Sequence, residues 1–159
     1  MNIKIIAVGK LKERYLTDAA AEYIKRLSRF GSVEIVEIPD KKIPDNVSEK
    51  QCEQLLNDEG DAIMAKITPT QYVVTLCVEA AQLSSEQFAA KLAECALGGS
   101  SNIAFVIGGS LGLASKVKNR ADLRLGFSKM TFPHQLMRVI LLEQVYRAFK
   151  INAGETYHK

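Results

Sequence analysis

The chain of 159 residues has no tryptophan, two histidines and only three cysteines. Cys52, Cys77 and Cys95 are odd in number, widely spaced and form no C-x-x-C pair, so the sequence predicts neither a disulfide framework nor a zinc site. We expect all three to be small buried hydrophobic residues. No Ser/His/Asp order, metal-ligand cluster or pair of carboxylates stands out, which argues against hydrolases and metalloenzymes.

Long apolar segments are also missing. No run approaches the ~20 residues that a membrane helix needs, and the first residues lack the apolar region of a signal peptide. We therefore expect a cytoplasmic protein with no membrane partner. The hydrophobic fraction of 47% and the charged fraction of 25% are ordinary for a globular chain, and the length suits one domain over residues 1–159.

The charge is unevenly distributed, although the net charge is only +3. Residues 116–159 contain nine Lys and Arg against three acidic residues, whereas residues 1–115 contain twelve basic and fifteen acidic residues. The local excess is compatible with a polyanion that docks on the C-terminal part. A solvated basic face is the more common meaning of an excess of this size.

Hydrophobic periodicity predicts alternating strands and helices. Predicted strands cover residues 3–8, 33–38, 72–78 and 103–107, and predicted helices cover 15–30, 48–66, 84–97 and 133–150. Ser48 with Gln51, and Ser84 with Gln87, form S-x-x-Q capping boxes that start two of the helices. The polar segment 40–47 is the predicted mobile loop.

This alternation predicts an α/β fold, with an open, mostly parallel sheet covered by helices on both faces. Ligands of such sheets bind beyond the carboxyl ends of the strands, where Leu76, Gly108 and Phe127 are placed. The turn Gly108-Gly109-Ser110-Leu111-Gly112 is neither a dinucleotide fingerprint nor a P-loop. Taken alone, it is more often a structural turn than a site.

The closing helix carries two apolar stripes. They consist of Val139, Leu142, Tyr146 and Phe149, and of Met137, Leu141, Val145 and Ala148. Because one small sheet offers a single face to pack against, the second stripe suggests a symmetric homodimer. Arg138 falls between the stripes, so we expect it to hold a carboxylate, a phosphate or substrate, or to form an ion pair with Glu143 or with an acid of a partner chain.

Three further side chains are candidates for chemistry. His134 lies in the first turn of the closing helix, where the helix dipole favours a nearby anion. Tyr157 and His158 follow a glycine hinge and could stack on and hydrogen-bond a flipped RNA base. A solvent-facing histidine and a frayed tail are the more ordinary alternatives.

Several motifs together resemble a known family. They are Val8-Gly9-Lys10-Leu11-Lys12, Thr75-Leu76, the run from Phe105 to Gly112, the run from Ser128 to Val139, and Tyr157-His158-Lys159. In this order they resemble the ribosomal RNA large subunit methyltransferase H family, which belongs to the SPOUT methyltransferases. The resemblance runs from end to end.

The resemblance implies an S-adenosylmethionine-dependent enzyme that methylates N3 of a pseudouridine in 23S ribosomal RNA on assembled ribosomes. It also implies a C-terminal trefoil knot, a homodimer and no metal. The implied cofactor residues are Leu76, Gly108, Phe127, Ser128, Lys129, Met130, Thr131 and Phe132, and the candidate catalytic residues are Arg138, His134, Tyr157 and His158.

Two positions depart from the family pattern. Leu111 stands where relatives often have a polar or acidic residue, and Ala80-Ala81 stands where relatives usually have a glycine. Two alternatives stay open beside the enzyme. One is an RNA-binding or ribosome-assembly module without methyl transfer, and the other is a nucleotide-binding enzyme of flavodoxin-like type.

Overall fold

The computed structural model describes residues 1–41, 43 and 45–158, and it contains five strands and five helices. The strands are β1 (Asn2–Val8), β2 (Ser32–Ile38), β3 (Tyr72–Leu76), β4 (Asn102–Ile107) and β5 (Leu123–Leu125). The helices are α1 (Arg14–Leu27), α2 (Glu49–Met64), α3 (Ser85–Leu97), α4 (Ser115–Arg120) and α5 (His134–Asn152).

The five strands form one parallel sheet in the order β2-β1-β4-β3-β5. The predicted parallel sheet is therefore confirmed. The sequence located four of its strands but showed β5 only as a return of apolar character, because three residues are too few for a periodic signal. The trefoil knot implied by the resemblance stays a prediction.

Both predicted capping boxes are present. The hydroxyls of Ser48 and Ser84 accept hydrogen bonds from the backbone N–H of Gln51 and Gln87, and the glutamine side chains accept from the serine N–H groups in return. Each box pairs two backbone donors that a helix start leaves free. The starts of α2 and α3 are thus fixed by local sequence.

Helices cover both faces of the sheet, so that strand β1 is buried on each side. Ile3, Ile5 and Ala7 pack into the core under α1, α3 and α5, whereas Ile6 and Val8 pack into the core under α2 and α4. The alternation follows the two-residue period of a strand. Of the cysteines, Cys77 and Cys95 are buried as expected, and Cys52 is half-buried.

The closing helix α5 packs against both α1 and α3 and also contacts β1 and β4. Both of its apolar stripes are largely covered within one chain: Leu142 and Tyr146 of the first are buried, as are Leu141 and Val145 of the second. The premise that the second stripe needs a partner chain is therefore wrong, because two flanking helices extend the surface beyond the sheet.

Two other expectations concern the loop 40–47 and the absence of membrane-spanning helices. The loop 40–47, predicted to be mobile, contains Lys42 and Pro44, which lie outside the described residues, as does Lys159 of the C-terminal motif. Over residues 1–41, 43 and 45–158, no helix combines the length and the apolar character that a bilayer crossing requires.

Candidate functional site

A cavity of about 230 Å³ opens at the carboxyl ends of β3, β4 and β5. Leu76 ends β3, Gly108 follows β4 and Phe127 follows β5, and all three line the cavity. Of the other residues predicted to bind the cofactor, Ser128, Met130, Thr131 and Phe132 also line it, whereas Lys129 does not. The topology thus brings together three segments, the first and last of which, at Leu76 and Phe127, are 51 residues apart in the sequence.

The glycine turn is shaped by its own backbone. A Cβ on Gly108 would clash with the carbonyl of Gly112, and the N–H of Gly112 donates to the carbonyl of Gly109 at 3.0 Å. Only Gly112 of the turn has a positive φ, +81°. Gly108 is therefore required for close packing inside the turn, and this packing presents a bare backbone to the cavity.

A second close approach lies beside the cavity, between β5 and the loop after β3. Gly126 donates its N–H to the carbonyl of Ala81 at 3.0 Å, and a Cβ on Gly126 would come within 2.5 Å of the carbonyl of Ala80. No described non-glycine residue has a positive φ. The departure Ala80-Ala81 is accordingly accommodated without strain in the loop backbone.

Leu111, the other departure from the family pattern, lies away from the cavity. Leu111 lines a surface groove together with α2, formed with Glu49, Cys52 and Leu56, and it does not line the cavity.

An ion pair at the cavity was not found from the sequence. Lys118 of α4 donates to a carboxylate oxygen of Glu79 at 2.6 Å, and both residues line the cavity. This hydrogen bond lowers the pKa of Glu79. Because the partners are 39 residues apart, only the folded topology reveals the pair.

Of the four catalytic candidates, His134 lines the cavity. Its Nε2 lies 3.3 Å from the position that a Cβ of Gly9 would occupy. The residue therefore stands between the cavity and the loop that follows β1. Its place in the first turn of α5 is as predicted.

Arg138 lies one turn further along α5 and is completely buried. Its guanidinium donates to Glu37 Oε1 at 2.7 Å, to the carbonyl of Gly9 at 2.5 Å and to the carbonyl of Val8 at 3.2 Å. The expected carboxylate is thus Glu37. The alternative partner Glu143 is wrong, because Glu143 pairs with Arg147 at 2.5 Å.

The C-terminal tail is packed against its own chain and does not line the cavity. Tyr157 donates to Glu143 at 3.2 Å and packs edge-on against Tyr146, and burial raises the pKa of Tyr157 to about 12. His158 Nε2 lies 2.6 Å from Glu86 at the start of α3.

The chemistry available at the cavity is that of a small organic ligand site. Its walls are mostly apolar. Its polar groups are few: backbone groups of three loops, Ser110, Ser128, Thr131, His134 and the Lys118–Glu79 pair. Among the residues that the structure describes, no cluster of three or more His, Cys, Asp or Glu could hold a metal ion.

Comparison with known proteins agrees with this picture. A family model described as a predicted SPOUT methyltransferase matches residues 1–158. Proteins named ribosomal RNA large subunit methyltransferase H from Bifidobacterium animalis subsp. lactis and Leuconostoc mesenteroides are 57% and 54% identical over 159 residues, which is 100% of this chain and of each relative.

Solved structures share the fold at low sequence identity. A methyltransferase from Legionella pneumophila, described in complex with bound cofactor SAM, aligns with a TM-score of 0.50 at 11% identity over 94% of this chain and 66% of that chain. With the match of the family model and two full-length relatives above 50% identity, the chain belongs to the SPOUT methyltransferase family, among the ribosomal RNA large subunit methyltransferase H proteins.

Proposed function

We propose that this protein transfers a methyl group from S-adenosylmethionine to N3 of a pseudouridine in 23S ribosomal RNA, on assembled ribosomes in the cytoplasm. One observation carries the proposal. Seven of the eight residues expected at the cofactor line one cavity at the carboxyl edge of a parallel sheet, in a chain related over its full length to rRNA methyltransferases.

The cavity suits the adenosyl and methionine parts of the cofactor. Leu76, Phe127 and Met130 give apolar walls, while the bare backbone of Gly108 and the 127–132 loop offers N–H and C=O groups to the adenine edge. The carboxylate of Glu79 and the ammonium of Lys118 can meet the ribose or the zwitterionic end. The bound cofactor supplies an already activated methyl group, so the protein contributes mainly orientation and proton transfer.

The proton on N3 must leave during methyl transfer, because an imino nitrogen is protonated at neutral pH. His134 is the candidate acceptor, since it is the titratable catalytic candidate that borders the cavity. Tyr157, with a pKa of about 12, keeps its proton and acts as a hydrogen-bond donor.

Tyr157 and His158 reach a methyl-transfer site on a second copy of the chain. On their own chain they contact Glu143 and Glu86, away from the cavity. Exposed apolar side chains stand beside the cavity, namely Met130, Phe132 and Leu136, with 72%, 36% and 37% of their surface exposed. Methionine and aromatic residues are enriched in protein interfaces, which supports a homodimer formed at this end of α5.

The test is a methyl-transfer assay with labelled S-adenosylmethionine and ribosomes that lack the modification. We expect incorporation at a single pseudouridine, and calorimetry should show cofactor binding by the protein alone. Absence of binding at millimolar cofactor would refute the enzyme, and salt-sensitive RNA binding without transfer would instead identify an RNA-binding module.

Complementation tests the shared site. His134→Ala and a chain truncated before Tyr157 should each be nearly inactive while keeping cofactor affinity. Random exchange of the two variants should restore about a quarter of wild-type activity, because half of the dimers are mixed and each has one intact site. No recovery in dimers shown to be mixed would place the tail at the site of its own chain.

A further inference from the structure

The loop after β1, residues 9–13, lies against His134, which lines the cavity. Gly9 closes β1 with a φ of +86° and is in contact range of His134, which lines the cavity. Leu11 packs against the main core, and Lys10 and Lys12 stand exposed on either side of it. Two exposed cations are therefore carried by the loop that His134 contacts.

The buried Arg138 and the partly buried Glu37 and Gln135 hold the backbone of this loop. Arg138 donates to the carbonyls of Val8 and Gly9 and to Glu37 Oε1, and the same carboxylate oxygen accepts the N–H of Leu11 at 3.1 Å. One residue further on, Gln135 accepts the N–H of Lys12 at 3.2 Å. Charge-assisted bonds to a fully buried guanidinium are among the stronger hydrogen bonds of a protein. The backbone that carries the two lysines is thus fixed in place.

The lysines of this loop differ from most other surface cations. Many of those are engaged with a neighbouring carboxylate, as in Arg26–Glu22, Lys91–Glu94, Lys116–Asp61 and Lys118–Glu79. Within the described part of the chain, Lys10, Lys12 and Lys129 form no such pair. Lys129 is also exposed and belongs to the 127–132 loop, of which Ser128 and Met130 line the cavity.

We propose that Lys10 and Lys12 bind the phosphate backbone of the ribosomal RNA beside the target nucleotide, and that Arg138 and Glu37 are positioning residues that hold them there. The proposal rests on the proposed function and extends it to a docking surface. Exposed lysines act on phosphate as point charges, and such contacts fix the register of a nucleic acid without reading its sequence.

The test compares Lys10→Gln/Lys12→Gln with Lys25→Gln/Lys50→Gln, a matched double change of two other exposed lysines without a carboxylate partner among the described residues. For the first variant we expect a roughly tenfold higher KM for ribosomes near physiological salt, with kcat and the Kd for S-adenosylmethionine unchanged. The slope of log affinity against log salt should fall by about 1.4–1.8, since each lost phosphate contact removes about 0.7–0.9. The control should keep the wild-type values.

The positioning role has its own readout. Glu37→Ala, which removes the oxygen that accepts from Arg138 and Leu11, should raise the KM for ribosomes without a change in cofactor affinity. Adding it to Lys10→Gln/Lys12→Gln should cause no further loss, because Glu37 acts through the two lysines. An additive loss would mean a separate structural role and would overturn this part of the proposal.

Direct binding measurements with ribosomes and with 23S rRNA distinguish the ways in which the proposal can fail. If both double variants bind 70S ribosomes alike, the docking surface is wrong. A loss seen with ribosomes and absent with deproteinised 23S rRNA would overturn the proposal in favour of a ribosomal-protein contact. Wild-type protein that binds RNA through these lysines but transfers no methyl group would refute the proposed function alone.

Discussion

Replacing Arg138 with methionine tests a charged side chain that is completely buried. The substitution keeps most of the side-chain volume but removes three hydrogen bonds, to Glu37 and to the carbonyls of Val8 and Gly9. Breaking a buried ion pair costs about 3–5 kcal/mol. Because the side chain of Glu37 is 34% exposed and can be rehydrated, we expect the lower end, about 3 kcal/mol.

Urea unfolding followed by circular dichroism measures this loss. For a chain of this length, 1 kcal/mol corresponds to a shift in Tm of about 2–4 °C, so thermal unfolding should occur about 6–12 °C lower. Glu37→Gln is the control, since glutamine keeps an oxygen that can accept from Arg138 and Leu11, and it should cost about 1 kcal/mol. A loss below about 1 kcal/mol for Arg138→Met would refute the structural assignment. Unchanged stability with abolished methyl transfer would show that the guanidinium acts on substrate.

Three other predictions follow from the site and the tail. Gly108→Ala should abolish S-adenosylmethionine binding in calorimetry, because its Cβ meets backbone of the same turn, whereas Gly98→Ala in the α3 cap should bind normally. In a spectroscopic titration, Tyr157→Phe should remove a component at about pH 12. Burial raises the pKa of the Tyr157 hydroxyl above the ordinary value of 10. The stability that the protonated hydroxyl contributes is therefore present below pH 10 and lost as the pH rises through about 12. Hydrogen bonding, chiefly from the Ser84 side chain, lowers the pKa of Glu86 to about 2. Its stabilisation of the tail should therefore be present above the ordinary value of 4.5 and fade toward pH 2, and Glu86→Gln should remove this change in tail amide exchange.

Local sequence specified the parts of the fold that depend on neighbouring residues. Ser48 and Ser84 mark the starts of α2 and α3 because a capping box needs only four consecutive residues. The apolar run before Gly108 predicted β4 for a similar reason, since a short continuous run bounded by glycine is typical of a buried parallel strand. Strand β5 was not predicted as a strand, because its three residues derive their conformation from pairing with β3.

The site depended on contacts that spacing cannot reveal. The partner of Arg138 is Glu37, which lies 101 residues away on strand β2, whereas the helix period offered only Glu143. The pair formed by Lys118 and Glu79 likewise joins two segments that lie before and after β4 in the sequence. A buried arginine predicts that some anion is near, but the identity of that anion is a property of the sheet order.

The closing helix shows that the sequence is equally limited in predicting which surface is free to form a dimer. Its two stripes suggested a dimer only because sequence patterns do not reveal how far α1 and α3 extend the surface that covers α5. With those stripes buried in one chain, a second copy is supported by Met130, Phe132 and Leu136, which stay exposed beside the cavity. In the proposed homodimer these residues would place a partner chain at the cavity mouth, where a reciprocal contact would also have to bring the partner's tail within reach. A homodimer formed there would complete the active site, whereas a dimer formed along the buried stripes of α5 would first have to displace α1 or α3.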